Sequence, residues 1–420
     1  MNENKIQIPE GWEKVDLRSI LKYEQPYKYS VTSTNYNKSG TPVLTAGKSF
    51  ILGYTTEKKG IYNNLPVIIF DDFTTDSKFV NFPFKVKSSA MKFLKEKQNG
   101  KISLKLLFEI IYQLKLSSIG GDHKRRWISD FSKRKILLPK STKEQQKIAE
   151  ILSKVDKAIE QTESLITKYQ GIKTGLMQDL LTKGIDENGN IRSEETHEFK
   201  DSELGRIPKE WDCLTINDIA ERLRSGVTPR GGSNVYQKEG VMLIRSQNIY
   251  PYGFKNNDVA FISEEINNRM KGSELKTFDV LLNITGASIG RSTFIPIGFP
   301  NSNVNQHVCS IRLKKSSLEM AIYLSSYLNS IYGQNQIMQN NAGSNREGIN
   351  YTQIREIKLP YFNNENELLH FYKLINKSTV RIQTEQTKLQ KLQKIKTALM
   401  QDLLSGKKRV STLLTKAQTV

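Results

Sequence analysis

The side chains of this chain that could do chemistry are of the kind that pair with planar hydrogen-bonding edges and with phosphates. In the second half, Arg245, Gln247 and Asn248 follow a short apolar run, Asn283 and Arg291 flank a glycine-containing turn, and Asn305, Gln306 and His307 sit together. Arg230 lies in the glycine-rich stretch GVTPRGGSNVYQKEG (226–240), and Arg346 lies in AGSNREGINYTQI (342–354). In the first half, Lys48 follows the run LTAG, and GGDHKRRWISDFSKRKILLP (120–139) gathers His123, Lys124, Arg125 and Arg126 beside Trp127. Arginine can bridge guanine with two hydrogen bonds, and Asn or Gln can do the same with adenine. Paired glycines such as Gly120–Gly121 let a backbone approach a ligand closely. These residues are therefore the candidate DNA-binding set. The same types also cap bends for local reasons, and clustered lysines also suit a solvated loop.

Signs of catalysis are missing. The chain has no G-x-x-x-x-G-K-[ST] phosphate loop, no N-P-P-Y-type methyltransferase motif, no G-x-S-x-G and no full G-x-G-x-x-G. Its histidines (His123, His197, His307, His370) are too scattered to form a metal set, and no E-x-K strand follows Asp71–Asp72. Cys213 and Cys309 are too few for a disulfide framework. No stretch approaches a membrane span, and the start lacks the pattern of a signal peptide, so the expected location is cytoplasmic. The formal charge of +20 favours a polyanionic partner, although phosphate attraction alone is blind to base sequence.

Such loops need a scaffold, and the scaffold is written twice. IKTGLMQDLLTKG (172–184) returns as IKTALMQDLLSGK (395–407), identical at nine of the first ten positions. Upstream of each, apolar residues alternate three and four apart: Ile148, Leu152, Val155, Ile159, Ile166, Tyr169, Leu176 and Leu180 in the first copy, with Thr162 and Lys173 as polar breaks. The second copy breaks the series at Ser378, Glu385 and Lys396. This is the seam of a coiled coil, and about forty residues of helix make a rod roughly 60 Å long. Gly171 and Gly175 are poor interior helix residues that would allow close approach of a partner helix. An I-P-x-x-W opening (Pro9 and Trp12; Pro208 and Trp211) and an L-P exit (Pro139; Pro360) bracket each mixed body, whose interiors do not visibly match. The expected fold is mixed α/β (α+β) with a pseudo-two-fold internal repeat, in which two globular domains are separated by two long helices forming a coiled coil. The expected boundaries are 1–140, 141–184 (helix), 185–204 (connector), 205–361, 362–406 (helix) and 407–420 (tail).

These repeated helix endings, the LTAG and IFDDFTT runs and the G-x-T-P loop resemble the DNA-specificity subunit of type I restriction-modification systems over nearly the whole chain. The resemblance implies two target-recognition domains, each reading one half of a split target on double-stranded DNA, two helices packed antiparallel as a spacer, and no catalytic activity in this chain; the unlike bodies imply an asymmetric bipartite target, and the length of the rod sets the gap between the half-sites. It implies as partners two methyltransferase (modification) subunits, which methylate adenine at N6 with S-adenosylmethionine, and two restriction/translocase subunits using ATP and Mg2+. No cofactor is expected in this chain itself. A stand-alone DNA-modifying enzyme and a structural coiled-coil adaptor are the alternatives.

Overall fold

A computed structural model describes residues 8–45, 49–98, 100–114, 125–251, 253–255, 258–341 and 348–411. The chain forms two compact units. The first joins residues 1–164 with 386–420, and the second is the continuous stretch 165–385. The cuts between these units fall inside the long helices Thr142–Thr182 and Glu365–Leu404.

The motifs that bracket each body pair with one another. Strand Trp12–Asp16 runs antiparallel to Lys135–Pro139, with Trp12 opposite Pro139. Strand Asp212–Thr215 pairs likewise with Lys358–Tyr361, with Cys213 opposite Pro360. The repeated spelling at the two ends of each body thus closes a two-stranded ribbon.

Between those ends the two bodies share one topology. In the first unit an antiparallel sheet has the order Leu21–Glu24, Met91–Glu96, Val67–Asp71, Ser77–Val80. In the second the order is Ala220–Ser225, Val308–Leu313, Val280–Asn283, Ser292–Phe294. Each unit adds a three-stranded sheet with one antiparallel and one parallel pair. Thr41–Leu44 lies between Ile51–Thr55 and Lys85–Val86, and Val241–Ile244 between Ala260–Ile262 and Ser302–Val304. The bodies whose sequences do not visibly match are therefore the same fold. The central strands VIIFD and VLLN are buried throughout, and a ladder of backbone hydrogen bonds needs apolar, preferably β-branched side chains without specifying which. The second unit adds a hairpin, Ile249–Tyr250 with Gly253–Phe254, and the helices Glu264–Arg269 and Ile331–Asn341.

The long helices are Thr142–Thr182 and Glu365–Leu404, and they run antiparallel inside each unit. In the first, the Lys396 ammonium lies 2.5 Å from the Asp156 carboxylate. In the second, Lys173 Nζ donates to Thr379 Oγ1 at 2.6 Å, and the Arg381 guanidinium lies 4.4 Å from the Tyr169 ring centre. Thr162 and Lys173 are buried in the seam. Polar seam residues weaken a coiled coil while fixing its register. Among the described residues, a Cβ at Gly171 or Gly175 would meet nothing within 4 Å.

A pair of clamps, unforeseen from the sequence, ties each helix end into a core. Glu367, in the first turn of the second long helix, accepts from both terminal nitrogens of Arg192, from Trp211 Nε1 at 3.1 Å and from the Ile185 amide at 2.9 Å. Gly184 makes room for this group: its φ is +66°, and an added Cβ would stand within 2.6 Å of Glu367, Trp211 and Arg192. The matching position on the first long helix, Glu144, accepts from Arg409 Nε at 2.7 Å and Nη2 at 2.9 Å. Arg409 also donates to the Glu10 carbonyl. The tail is thus fixed in the first unit as far as Val410, which joins Trp12, Met400, Leu403 and Leu404 in one apolar core. No helix among the described residues is long and apolar enough to cross a membrane.

Candidate nucleic-acid interface

In the second unit, three strand ends converge on a cleft of about 570 Å³. Strand Val241–Ile244 ends in Arg245 and a 3₁₀ turn, Ser246–Asn248. Strand Val280–Asn283 runs into the 3₁₀ turn Gly286–Ser288. Strand Ser302–Val304 reaches Val308–Leu313 through Asn305, Gln306 and His307. Gln247, Tyr250, Lys255, Arg291 and His307 line the cleft, with Ser246, Asp258 and Thr285 to Ser288.

Its asparagines shape the cleft without lining it. Asn283 is fully buried, and its Nδ2 donates to the Ser246 carbonyl at 2.9 Å and to Ser288 Oγ at 3.0 Å, joining two of the turns. Asn248, also buried, accepts from the Arg245 amide at 3.1 Å and donates to the Lys255 carbonyl at 3.2 Å. Asn305 accepts from the His307 amide at 3.1 Å. These three hold turns, as Asn side chains do when they hydrogen-bond to nearby backbone groups. Arg245 is also committed: Nη2 donates to the Asp258 carbonyl at 2.6 Å.

The side chains left facing the cleft differ in kind. Gln247 is exposed, with its Nε2 on Asp258 Oδ2 at 2.5 Å. The Arg291 guanidinium lies 5.1 Å from the Tyr250 ring centre, and the Lys255 ammonium 6.0 Å from it. His307 Nδ1 is 2.6 Å from Thr285 Oγ1, which orients the ring. Gln306, exposed, accepts from the Thr228 amide at 3.3 Å. A planar guanidinium, an amide, an imidazole and an ammonium around one concavity can hydrogen-bond base edges and neutralise phosphates. Sequence reasoning missed Tyr250, Lys255 and Thr285. Tyr250 stands two residues beyond Asn248, and its aromatic face was the available signal.

Arg230 is exposed on the neighbouring loop, which is seated through Gly226. A Cβ on Gly226 would stand 1.5 Å from the Val304 carbonyl oxygen. Gly226→Ala is therefore expected to push the loop off its strand and cost about 1–3 kcal/mol, the usual range for overpacking. The check is the urea midpoint of the whole chain, and an unchanged midpoint counts against this seating.

In the first unit the basic cluster divides. Lys48, His123 and Lys124 lie outside the described residues, as does Arg346 in the second unit. Arg125 is exposed and Arg126 half-buried, at the start of the short helix Arg126–Ser129. Trp127 is a core residue and not a surface platform: it is 2% exposed, stacks edge-on to Phe70 at 5.3 Å, and its amide donates to Asp72 Oδ1 at 2.9 Å. Asp72 also meets the Lys92 ammonium at 3.0 Å. Asp71 accepts from the Phe73 amide and the Thr74 hydroxyl at 2.9 and 2.5 Å. This aspartate pair thus builds a turn and anchors a helix. Among the described residues no group of three or more His, Cys, Asp or Glu is arranged to hold a metal.

A family model described as the type I restriction modification DNA specificity domain matches residues 9–168 and again 208–396. The specificity subunit of the Escherichia coli type I restriction enzyme EcoR124I/EcoR124II is 49% identical over 212 residues, covering 50% of this chain and 48% of that one. That match thus spans about half of the relative's length. The MjaVIII specificity subunit of Methanocaldococcus jannaschii is 25% identical over 426 aligned positions, covering 97% and 95% of the two chains. Among solved structures, the S subunit of a type I restriction-modification system from M. genitalium superposes with a TM-score of 0.62 at 17% identity, covering 96% of this chain and 97% of that one.

Proposed function

Because the chain belongs to the type I restriction-modification DNA specificity family, we propose that it selects the DNA on which such a system acts, each unit reading one half of an asymmetric, two-part target. One observation carries this reading: the two units share a topology while the side chains on their loops differ. One strand scaffold presenting Gln247, Arg291 and His307 in one copy and the basic segment around Arg125–Arg126 in the other suits two different base sequences. Lys48, His123, Lys124, Arg230, Gln306 and Arg346 remain in the DNA-contacting set, whereas Asn248, Asn283, Asn305 and Arg245 position their loops.

The partners are recruited by faces that are also duplicated. Ile172, Thr174 and Gln178 are exposed on the first long helix, and the identical Ile395, Thr397 and Gln401 are exposed at the same repeat positions on the second. The isoleucine is about half exposed at both places (52% and 48%). Two equal faces suit two copies of one modification subunit, which would bring S-adenosylmethionine and the adenine-N6 chemistry. Restriction/translocase subunits with ATP and Mg2+ would complete the assembly. Adenine must leave the base stack to be methylated, and a reader with a charge of +20 helps hold the opened duplex.

The test is an exchange. Residues 42–135 are replaced by the equivalent segment of another family member, and the methylated sites in host DNA are mapped before and after. One half-site is expected to change while the other and the gap between them stay fixed. A target unchanged, or changed in both halves, would sink the reading.

A further inference from the structure

Where their strands end, the two units repeat one another bond by bond, and the register isolates Phe73. In the second unit the Ile284 amide donates to the His307 carbonyl at 3.0 Å, and the Asn283 amide to the Arg291 carbonyl at 2.9 Å. In the first, the Asp72 amide donates to the Ala90 carbonyl at 3.1 Å, and the Asp71 amide to the Asp76 carbonyl at 2.8 Å. The next strand exit agrees: the Lys87 amide donates to the Leu44 carbonyl at 3.0 Å, as that of Asn305 does to Ile244 at 3.1 Å. Ser88 Oγ accepts from the Ala90 amide at 3.2 Å, the bond that Asn305 accepts from His307. By this register Phe73 takes the place of Thr285, and Ala90 that of His307.

Thr285 and His307 line the cleft of the second unit, with His307 Nδ1 2.6 Å from Thr285 Oγ1. There the small side chain sits on the turn and the ring on the strand exit. The first unit reverses the sizes, with the ring of Phe73 on the turn and a methyl group on the strand exit. Phe73 is 54% exposed. Its backbone is held: Asp71 Oδ1 accepts from its amide at 2.9 Å, and the Thr75 amide donates to the Asp71 carbonyl at 2.9 Å. Thr75 has a φ of +59°, which a residue other than glycine keeps only in a well-determined turn. A single exposed apolar residue is common on protein surfaces. What sets Phe73 apart is its place, at the position that lines the cleft in the other unit.

We propose that Phe73 reads a thymine methyl group in the half-site of the first unit. This rests on the DNA-reading role proposed above and names the chemistry that is read there. A phenyl ring has no donor or acceptor to match the hydrogen-bonding edges of adenine, guanine and cytosine. Thymine alone puts a methyl group into the major groove, and phenylalanine is one of the side chains that meets it. The ring is carried on a fixed turn, so little freedom is lost on contact. Only its exposed face is needed, whatever packs behind it. The second unit has an imidazole at the neighbouring place and can use hydrogen bonds instead, so the two half-sites differ in the kind of contact as well as in sequence.

The experiment uses the full chain in its modification complex and duplexes carrying the mapped target. Each thymine of the half-site assigned by exchanging residues 42–135 is replaced in turn by deoxyuridine, which lacks only the methyl group. One replacement is expected to weaken binding about fourfold, the scale of one buried methyl group. Phe73→Ala is expected to bind thymine and deoxyuridine equally at that position, and Phe73→Leu, which keeps an apolar face, to retain part of the preference. Scrambling the other half-site is expected to weaken all three proteins alike. The proposal is overturned if no thymine position responds to deoxyuridine, if the preference survives in Phe73→Ala, or if Phe73→Ala loses the same affinity on every DNA; each of these leaves the DNA-reading role in place. A complex indifferent to scrambling of either half-site removes that role, and this inference with it.

Discussion

Glu367→Ala is expected to destabilise the second unit by about 3–5 kcal/mol, the range measured when one member of a buried ion pair is removed. The carboxylate is 4% exposed and its Arg192 partner 7%, so water does not replace what is lost. Four donors depend on it: two guanidinium nitrogens, the Trp211 indole N–H and the Ile185 amide. An unmet buried donor costs about 1–3 kcal/mol, more when charged. Glu367→Gln keeps the shape and one acceptor, so its loss should be smaller. Glu144→Ala provides the internal control. Its Arg409 partner is 32% exposed, so solvent screening makes that clamp worth less. Urea unfolding with separate fluorescence reporters on the two units measures both. Equal losses at Glu367 and Glu144 would show that burial is not what sets the strength of these clamps.

Removing Gln247 and Arg291 together is expected to cost most of the discrimination at one half-site while the fold stays intact. A bidentate contact to the right base is worth about 1–3 kcal/mol, so loss of two corresponds to a drop in specificity of roughly thirtyfold to twenty-thousandfold if both are bidentate. Neither side chain is buried. The turns beneath them are held by Asn283 and Asn248, which the double variant leaves in place. Binding to the mapped target and to a version scrambled in that half-site, compared at two salt concentrations, separates base reading from phosphate attraction, since the latter fades steeply with salt. Arg291→Ala should lessen the salt slope and Gln247→Ala should not. A double variant that still distinguishes the two DNAs would move the reading surface elsewhere.

The parts of this architecture that the sequence displays openly are those where the same physical demand falls on both copies. The LMQDLL endings recur because both helix ends enter cores through Met177, Leu180 and Leu181 or through Met400, Leu403 and Leu404. Trp12 and Trp211 recur because both ribbons start over such a core. The shared topology of the two bodies stayed hidden because buried strands constrain apolarity and not identity, so VIIFD and VLLN answer one need with different letters. Among candidate contacts, asparagine was the least legible type. Asn283 and Gln247 looked equivalent on paper, yet one is fully buried between two turns and the other stands in the open. Trp127 misled for a related reason: basic neighbours in sequence said nothing about Phe70, which comes from a distant strand. The Glu–Arg clamps had only a weak trace, a glutamate in the first turn of both long helices, with partners 175 and 265 residues away.

The way the chain is divided also bears on how it is made. Residues 165–385 are continuous, so a ribosome has delivered the whole second unit before translation ends. The first unit waits, because Met400, Leu403, Leu404 and Val410 complete the core around Trp12 and Leu152, and Arg409 must reach Glu144. Synthesis therefore reverses the usual order in which amino-terminal parts fold first. The earliest residues to emerge are among the last to be sealed, and a nascent chain stopped short of its final turn keeps an unfinished apolar surface for chaperones and proteases to find.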